Sequence, residues 1–249
     1  MYLAIKYLKI KQGNLMNIIN LTITFFITLI STLLLVIPIK KIAFKYKFLD
    51  QPIERKIHKK ITPRLGGVAI YLGVAIGLLY LQPSHPKLMS IILGATVIVI
   101  IGVIDDKYQV KPQIKLIGQL LAAIIVISDG VIIERITLPF FGLVEFNLVF
   151  SFLITILWIV GITNAINLID GLNGLASGVS TIGLLSILVM AIFDGDNLVI
   201  VLSTILIAGN LGFLYHNFYP AKIYIWEIQG QCSLAIQFRY YQRSGCLKM

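Results

Sequence analysis

Adjacent carboxylates stand at Asp105 and Asp106, in the stretch GVIDDKYQVKPQIK. Side by side they repel, which raises the pKa of one or recruits a cation. Their hard oxygens suit Mg2+, which joins one or two carboxylates to the phosphates of a substrate. The plain alternative is a solvated helix end paired with Lys107. A second polar group follows in NAINLIDGLNGL, where Asn164, Asn167, Asp170 and Asn173 recur every three residues. If the segment is helical, that spacing gathers them on one face, with Ile166, Leu168, Ile169, Leu172 and Leu175 on the other. Such a stripe can hold sugar hydroxyls, a nucleotide or a metal, or it can join two membrane helices through asparagine contacts. A third group is the basic loop QPIERKIHKKITPRLGG, in which Arg55, His58 and Arg64 can meet a pyrophosphate or a lipid phosphate. Its plain alternative is a loop that sets topology. Pro63 and the Gly66-Gly67 pair are expected to turn the chain into the next helix. His216 and Asn217, in LYHNFYPAK, are weaker candidates.

The elements that must carry these groups are membrane helices. The chain has 249 residues, of which 58% are hydrophobic and only 13% charged. Its mean hydropathy is +0.92. A soluble domain has about twice that charged fraction. The expected fold is all-α, a polytopic bundle of about seven helices. The apolar runs cover residues 17–39, 66–81, 88–104, 114–127, 148–163, 175–193 and 198–214, the fourth extending into 128–133.

Orientation follows from the loop charges. Lys40, Lys41, Lys45, Lys47, Arg55, Lys56, Lys59, Lys60 and Arg64 precede the second helix, and Lys107, Lys111 and Lys115 follow the third. The other side carries only Lys87 and Arg135 between helices, with Asp129, Glu134, Glu145, Asp194 and Asp196. The positive-inside rule therefore puts all the polar motifs on the cytoplasmic side of a plasma membrane. The net charge of +10 fits anionic lipid rather than nucleic acid, for which no binding motif is present. Cys232 and Cys246 lie in the last 18 residues, without the spacing of a metal site, and face the reducing side.

In order, these motifs resemble those of the bacterial polyprenyl-phosphate N-acetylhexosamine-1-phosphate transferases. The likeness is to the undecaprenyl-phosphate GlcNAc-1-phosphate type of glycosyltransferase family 4, with the phospho-MurNAc-pentapeptide transferase a relative. It covers residues 50–225. DQPIERKIHKKITPRLGG is similar to the first cytoplasmic loop, GVIDDKYQVKPQIKLIGQ to the Asp-Asp motif with Lys115 and Gln119, and TNAINLIDGLNGLASG to the Asn/Asp motif. NFYPAKIYI is similar to the lead-in to the next one.

The resemblance implies the following chemistry. An undecaprenyl-phosphate oxygen attacks the β-phosphorus of a UDP-N-acetylhexosamine, GlcNAc being favoured, and UMP leaves. Mg2+, with Mn2+ as an alternative, assists. The product starts a cell-envelope polymer such as teichoic acid or O-antigen. Asp105, Asp106 and Asp170 carry catalysis, with Asp170 also a metal ligand. Arg55, His58, Arg64, Lys115, Asn164, Asn167, Asn173 and Asn217 bind substrate. A phosphate monoester is mostly ionised at neutral pH, its second pKa being about 6. Asp105 and Asp106 are therefore expected to position the lipid phosphate more than to deprotonate it. A homodimer is one option for assembly.

Two departures from the family pattern stand out. Asn173 replaces the usual Asp, with the loss of a charge. After Ile225 the family's Met-Gly-Asp-x-Gly-Ser, with its main metal-binding Asp, gives way to WEIQGQCSLAIQFRYYQRSGCLKM. Back-translation of residues 225–235 from the last base of the Ile225 codon permits Met-Gly-Asp-Thr-Gly-Ser-Met-Phe-Leu-Gly. We therefore expect residues 16–225 to be an incomplete transferase domain and 226–249 an out-of-frame tail. The chain as written is expected to be inactive or poorly folded. Residues 1–15 are expected to be an upstream extension or an extracytoplasmic N-terminus, with Met16 as an alternative start. The competing readings are a transporter, which would show inverted repeats and polar groups near the midplane, and a catalytically dead membrane scaffold.

Overall fold

The computed structural model describes residues 2–50, 62–138, 142–170, 173–218 and 223, with side chains in the first helix from Ile18 onward. The elements are α1 (Tyr2–Lys45), β1 (Leu49–Asp50), β2 (Thr62–Pro63), α2 (Gly66–Leu81), α3 (Leu88–Tyr108), α4 (Pro112–Ser128), β3 (Arg135–Leu138), β4 (Gly142–Glu145), α5 (Leu148–Ile169), α6 (Leu175–Asp194) and α7 (Asn197–Asn217). The all-α expectation holds. Helices satisfy their own backbone groups, which lipid requires of a spanning segment. Among the described residues, five helices are long and apolar enough to cross a membrane: Ile18–Lys45 within α1, then α3, α5, α6 and α7. With 16 and 17 residues, α2 and α4 are shorter.

Local chemistry sets the ends. Pro112 opens α4, where its missing N–H costs nothing. Asn147 caps α5 by accepting from the Phe150 N–H at 2.9 Å. Asp196 caps α7 by accepting from Leu198 and Val199 at 3.1 and 3.3 Å.

Three expectations need correction. The first helix is far longer than residues 17–39, because Lys40 to Lys45 are compatible with helix once the chain leaves the bilayer. The fourth does not run on into 129–133; it stops at Ser128, where Gly130 takes φ +73°. Val131, Ile132 and Ile133 are buried against α4 and α5 all the same, and the Ile133 N–H donates to Thr155 Oγ1 at 2.9 Å. Finally, Gly66 and Gly67 do not make the turn before α2. Both are helical, and Leu65 makes the turn at φ +77°.

The bundle has two packed groups. In the first, α1, α2, α6 and α7 share one core, built on Val36, Ile70, Val74, Leu184, Ile205 and Phe213. In the second, α4 packs against both α3 and α5. Because successive helices reverse direction, the α1–α2, α3–α4 and α5–α6 connections and the end of α7 share one end of the bundle. At the other end, Ser90 Oγ donates to Asp129 Oδ2 at 2.8 Å and Lys87 Nζ to the Gly130 carbonyl at 2.6 Å. There β3 and β4 form an antiparallel hairpin that pairs Arg135 with Glu145.

Candidate functional site

Asp105 and Asp106 occupy the last turn of α3, only 5% and 4% exposed. A carboxylate so deep needs a partner. For Asp105 it is Lys115, one turn into α4, whose Nζ lies 2.8 Å from Oδ2. Gly118 lets α4 approach α3, since a Cβ there would run into the Ile101 side chain.

One turn after Lys115, Gln119 reaches the other way. Its Oε1 accepts from Asn164 Nδ2 at 2.9 Å, and its Nε2 donates to Asn164 Oδ1 at 3.4 Å. Asn164 Nδ2 also donates to the Val160 carbonyl at 2.8 Å. Thus α4 carries both links, to the carboxylates of α3 and to the polar end of α5. A cavity of about 10 Å³ between these helices is lined by Lys115, Gln119 and Thr163. That is room for one water.

Asn164 and Asn167 share the helical face that their spacing suggests. The stripe does not continue as helix through Asn173. The helix stops at Ile169, and Asp170 is its C-cap, with its N–H on the Asn167 carbonyl at 3.3 Å. Asn173 lies in the turn before α6, and Gly174 takes φ +73°.

Asp170 is 6% exposed. Neither carboxylate oxygen accepts a hydrogen bond among the described residues. Its pKa is pushed well above the usual aspartate range, first by burial and then by the negative charge of Asp106. Asp106 of α3 and Asp170 at the end of α5 are therefore near enough for their charges to repel. Two mutually repelling carboxylates, one of them with unsatisfied oxygens, are a donor set that a hard cation would neutralise. Among the described residues no three Asp, Glu, His or Cys side chains converge on one metal position. The two carboxylates fit an ion that takes its other ligands from substrate and water.

Asn217 faces inward. It is fully buried, its Oδ1 accepts from the Gly174 N–H at 3.0 Å and from Ser177 Oγ at 3.3 Å, and its Nδ2 donates to the Ile223 carbonyl at 2.8 Å. It clamps the end of the Asn/Asp turn to α6 and α7, a positioning contact within the protein. His216 similarly ties α7 to α1 through the Leu33 carbonyl at 3.1 Å. Arg64 is buried at 4% exposure, and its N–H donates to the Phe48 carbonyl at 3.0 Å. Arg55 and His58 lie outside the described residues, as does the tail 226–249. Ser177 and the bracing role of Gln119 were not legible beforehand, because each is defined by a partner more than 39 residues away.

Replacing Lys115 by Met leaves Asp105 buried without its cation. The expected cost is roughly 3 kcal/mol, at the low end of the range for breaking a buried pair. Denaturation of the purified chain and of K115M checks it, and equal stability would show that solvent screens Asp105.

A sequence model of glycosyl transferase family 4 matches residues 88–228, more than half of the chain. The chain is 44% identical over 213 residues to a protein of Bacillus subtilis (strain 168) named "Probable undecaprenyl-phosphate N-acetylglucosaminyl 1-phosphate transferase". That match covers 85% of this chain and 59% of the relative. It is 34% identical over 209 residues to the "Decaprenyl-phosphate N-acetylglucosaminephosphotransferase" of Mycolicibacterium smegmatis, covering 76% of this chain and 51% of that one. A "Phospho-N-acetylmuramoyl-pentapeptide-transferase" of Caldanaerobacter subterraneus is 31% identical over 220 residues, covering 82% and 68%. The chain thus spans between half and three fifths of the length of the first two relatives.

Proposed function

The chain belongs to glycosyl transferase family 4, and from that premise we propose that it derives from an enzyme moving N-acetylglucosamine 1-phosphate from a UDP-sugar onto undecaprenyl phosphate. The site faces the cytoplasm, and the product starts a cell-envelope polymer such as teichoic acid or O-antigen. The observation that carries the reading is the set of buried carboxylates Asp105, Asp106 and Asp170 at one end of a membrane bundle, with Asp105 paired to Lys115. The names of the relatives supply the substrate class.

In this reaction an oxygen of the lipid phosphate forms a bond to the β-phosphorus of the UDP-sugar. The bond from that phosphorus to the bridging oxygen breaks, and UMP departs with the electron pair. Asp106 and Asp170 are the residues that would hold Mg2+, or Mn2+ in its place. When bound, the metal neutralises pyrophosphate charge. Lys115 neutralises Asp105 and fixes its direction. No strong base is needed, since the attacking phosphate is already ionised at neutral pH; Asp105 positions it. Gln119 holds Asn164, which together with Asn167 lines the nucleotide side.

On the out-of-frame reading of the tail, an active form has the frame shifted after Ile225, where back-translation permits a further Asp that would bind the metal. The gene is sequenced from codon 222 past the stop, and both frames are expressed. Membranes then receive UDP-N-acetylglucosamine, undecaprenyl phosphate and Mg2+. UMP and a lipid-linked sugar are expected from the shifted frame alone. UMP from the 249-residue chain would overturn the out-of-frame reading of the tail. Absence of UMP from both frames would overturn the transferase reading and favour the scaffold.

A further inference from the structure

At the site's end of the bundle, the membrane rim carries positive charge that no described carboxylate balances. Lys41 and Lys45 lie one turn apart on the last turns of α1, and both are exposed. Lys107 ends α3 and Lys111 precedes α4, also exposed. The ends of α1 and α3 that carry them meet in space. Lys107 Nζ sits 5.7 Å from the centre of the Phe48 ring, just past α1, which joins the end of α3 to the end of α1. The same ammonium lies 5.4 Å from the Tyr108 ring, and Lys45 Nζ lies 5.7 Å from the Tyr46 ring.

Two of those rings are themselves exposed, Tyr46 at 55% and Tyr108 at 67%. A tyrosine at the end of a membrane helix rests at headgroup depth, ring toward the acyl chains and hydroxyl toward water. An ammonium over its face is restrained by the ring and still has N–H donors to offer. Lysines held this way stand at the height of lipid phosphates rather than out in solution. The contrast with the opposite end is direct: Lys87 gives its Nζ to the Gly130 carbonyl, and the acidic Asp129, Glu134 and Glu145 lie on that side.

We propose that Lys41, Lys45, Lys107 and Lys111, with Tyr46 and Tyr108, form a docking surface for the headgroups of anionic phospholipids. This surface is separate from the carboxylate pair, and it does not depend on the transferase reading. Its partner is recognised by a phosphodiester charge at headgroup depth and by an apolar tail beside exposed Ile42 and Phe44. A soluble phosphate is also an anion but lacks the tail, so it cannot occupy both parts of the surface.

The test uses the full 249-residue chain in bilayers of phosphatidylcholine containing spin-labelled lipid. Electron paramagnetic resonance gives the association of labelled phosphatidylglycerol relative to labelled phosphatidylcholine. A preference for phosphatidylglycerol on the order of threefold or more is expected, falling at high salt. The variant K41Q/K45Q/K107Q/K111Q is expected to bring the ratio close to one. Lys87→Gln is the control and is expected to leave it unchanged. Millimolar inorganic phosphate is expected not to displace the lipid. Equal association of the two lipids with the parent chain overturns the proposal, as does an undiminished preference in the quadruple variant. Displacement by inorganic phosphate would assign the surface to soluble anions instead. Circular dichroism of the variants separates loss of preference from loss of fold.

Discussion

Asp170→Asn is expected to weaken divalent-cation binding by more than about 100-fold, beyond what the loss of a supporting hydrogen bond costs a metal site. The same change is expected to stabilise the cation-free chain. The two effects have one cause. Asp170 is buried, its oxygens accept no hydrogen bond among the described residues, and Asp106 repels its charge. An amide of the same shape has no charge to desolvate. The gain comes from that charge alone, since the amide buries polar atoms too, and it grows as pH rises above the unfolded pKa of Asp170.

The sign with pH follows from linkage. The folded-state pKa of Asp170 lies above its unfolded value. Its contribution to stability is therefore fully present below the unfolded pKa and is lost as pH rises through the raised folded pKa. The cation-free parent should lose stability across that window, and D170N should lose less. Mg2+ should restore the parent at high pH and do little for the variant. Thermal unfolding in detergent across pH, with and without Mg2+, measures both arms, and Mn2+ titration followed by electron paramagnetic resonance gives the affinity. A variant that is less stable at every pH and binds Mn2+ as tightly as the parent would make Asp170 a structural group.

Much of this was readable from residue order. Long apolar runs announce helices, because a bilayer permits few other solutions, and the concentration of Lys and Arg in alternate loops foretold that the polar motifs share one end. What could not be read was where helices stop. A repeat of three through Asn164, Asn167, Asp170 and Asn173 looks helical throughout, yet α5 stops at Ile169, and a new helix starts after Gly174, which takes φ +73° and gives its N–H to Asn217. Leu65 shows the converse: the turn before α2 falls on a leucine, beside two glycines that propensity would choose. Tertiary contacts decide both, since Arg64 and Phe48 bond across the segment that Leu65 must follow. The packing partners of Asn217 were hidden for a related reason. A polar residue beside a site reads as a ligand contact until its three hydrogen bonds are seen to be spent within the protein.

Glycine also marks where the bundle is tightest, and there an ordinary preference should reverse. In an exposed helix, Gly→Ala is stabilising by about 0.5–1 kcal/mol because alanine loses less backbone freedom. Gly183→Ala in α6 should follow that rule, for a Cβ there meets nothing within 4 Å. Gly212→Ala in α7 should break it. Its Cβ would stand 2.5 Å from the Leu29 carbonyl oxygen, 3.2 Å from Thr32 Cβ and 3.3 Å from the Leu33 N of α1. Backbone cannot rotate aside as a side chain can, so α1 and α7 must separate, at a cost of roughly 1–3 kcal/mol. The same seam extends to α2, where a Cβ on Gly73 or Gly77 would collide with the fully buried Thr32 or Thr28. Small residues at such a crossing let helices pack in lipid, where burial of apolar surface gives no driving force. Because α7 also carries Asn217 and the clamp on Gly174, separation at Gly212 should loosen the Asn/Asp turn as well. Unfolding of G212A and G183A in the same detergent, by loss of helical circular dichroism, should move in opposite directions from the parent. Equal shifts would mean that α1 yields at this crossing, and that the close packing of α1 on α7 does not hold the bundle together.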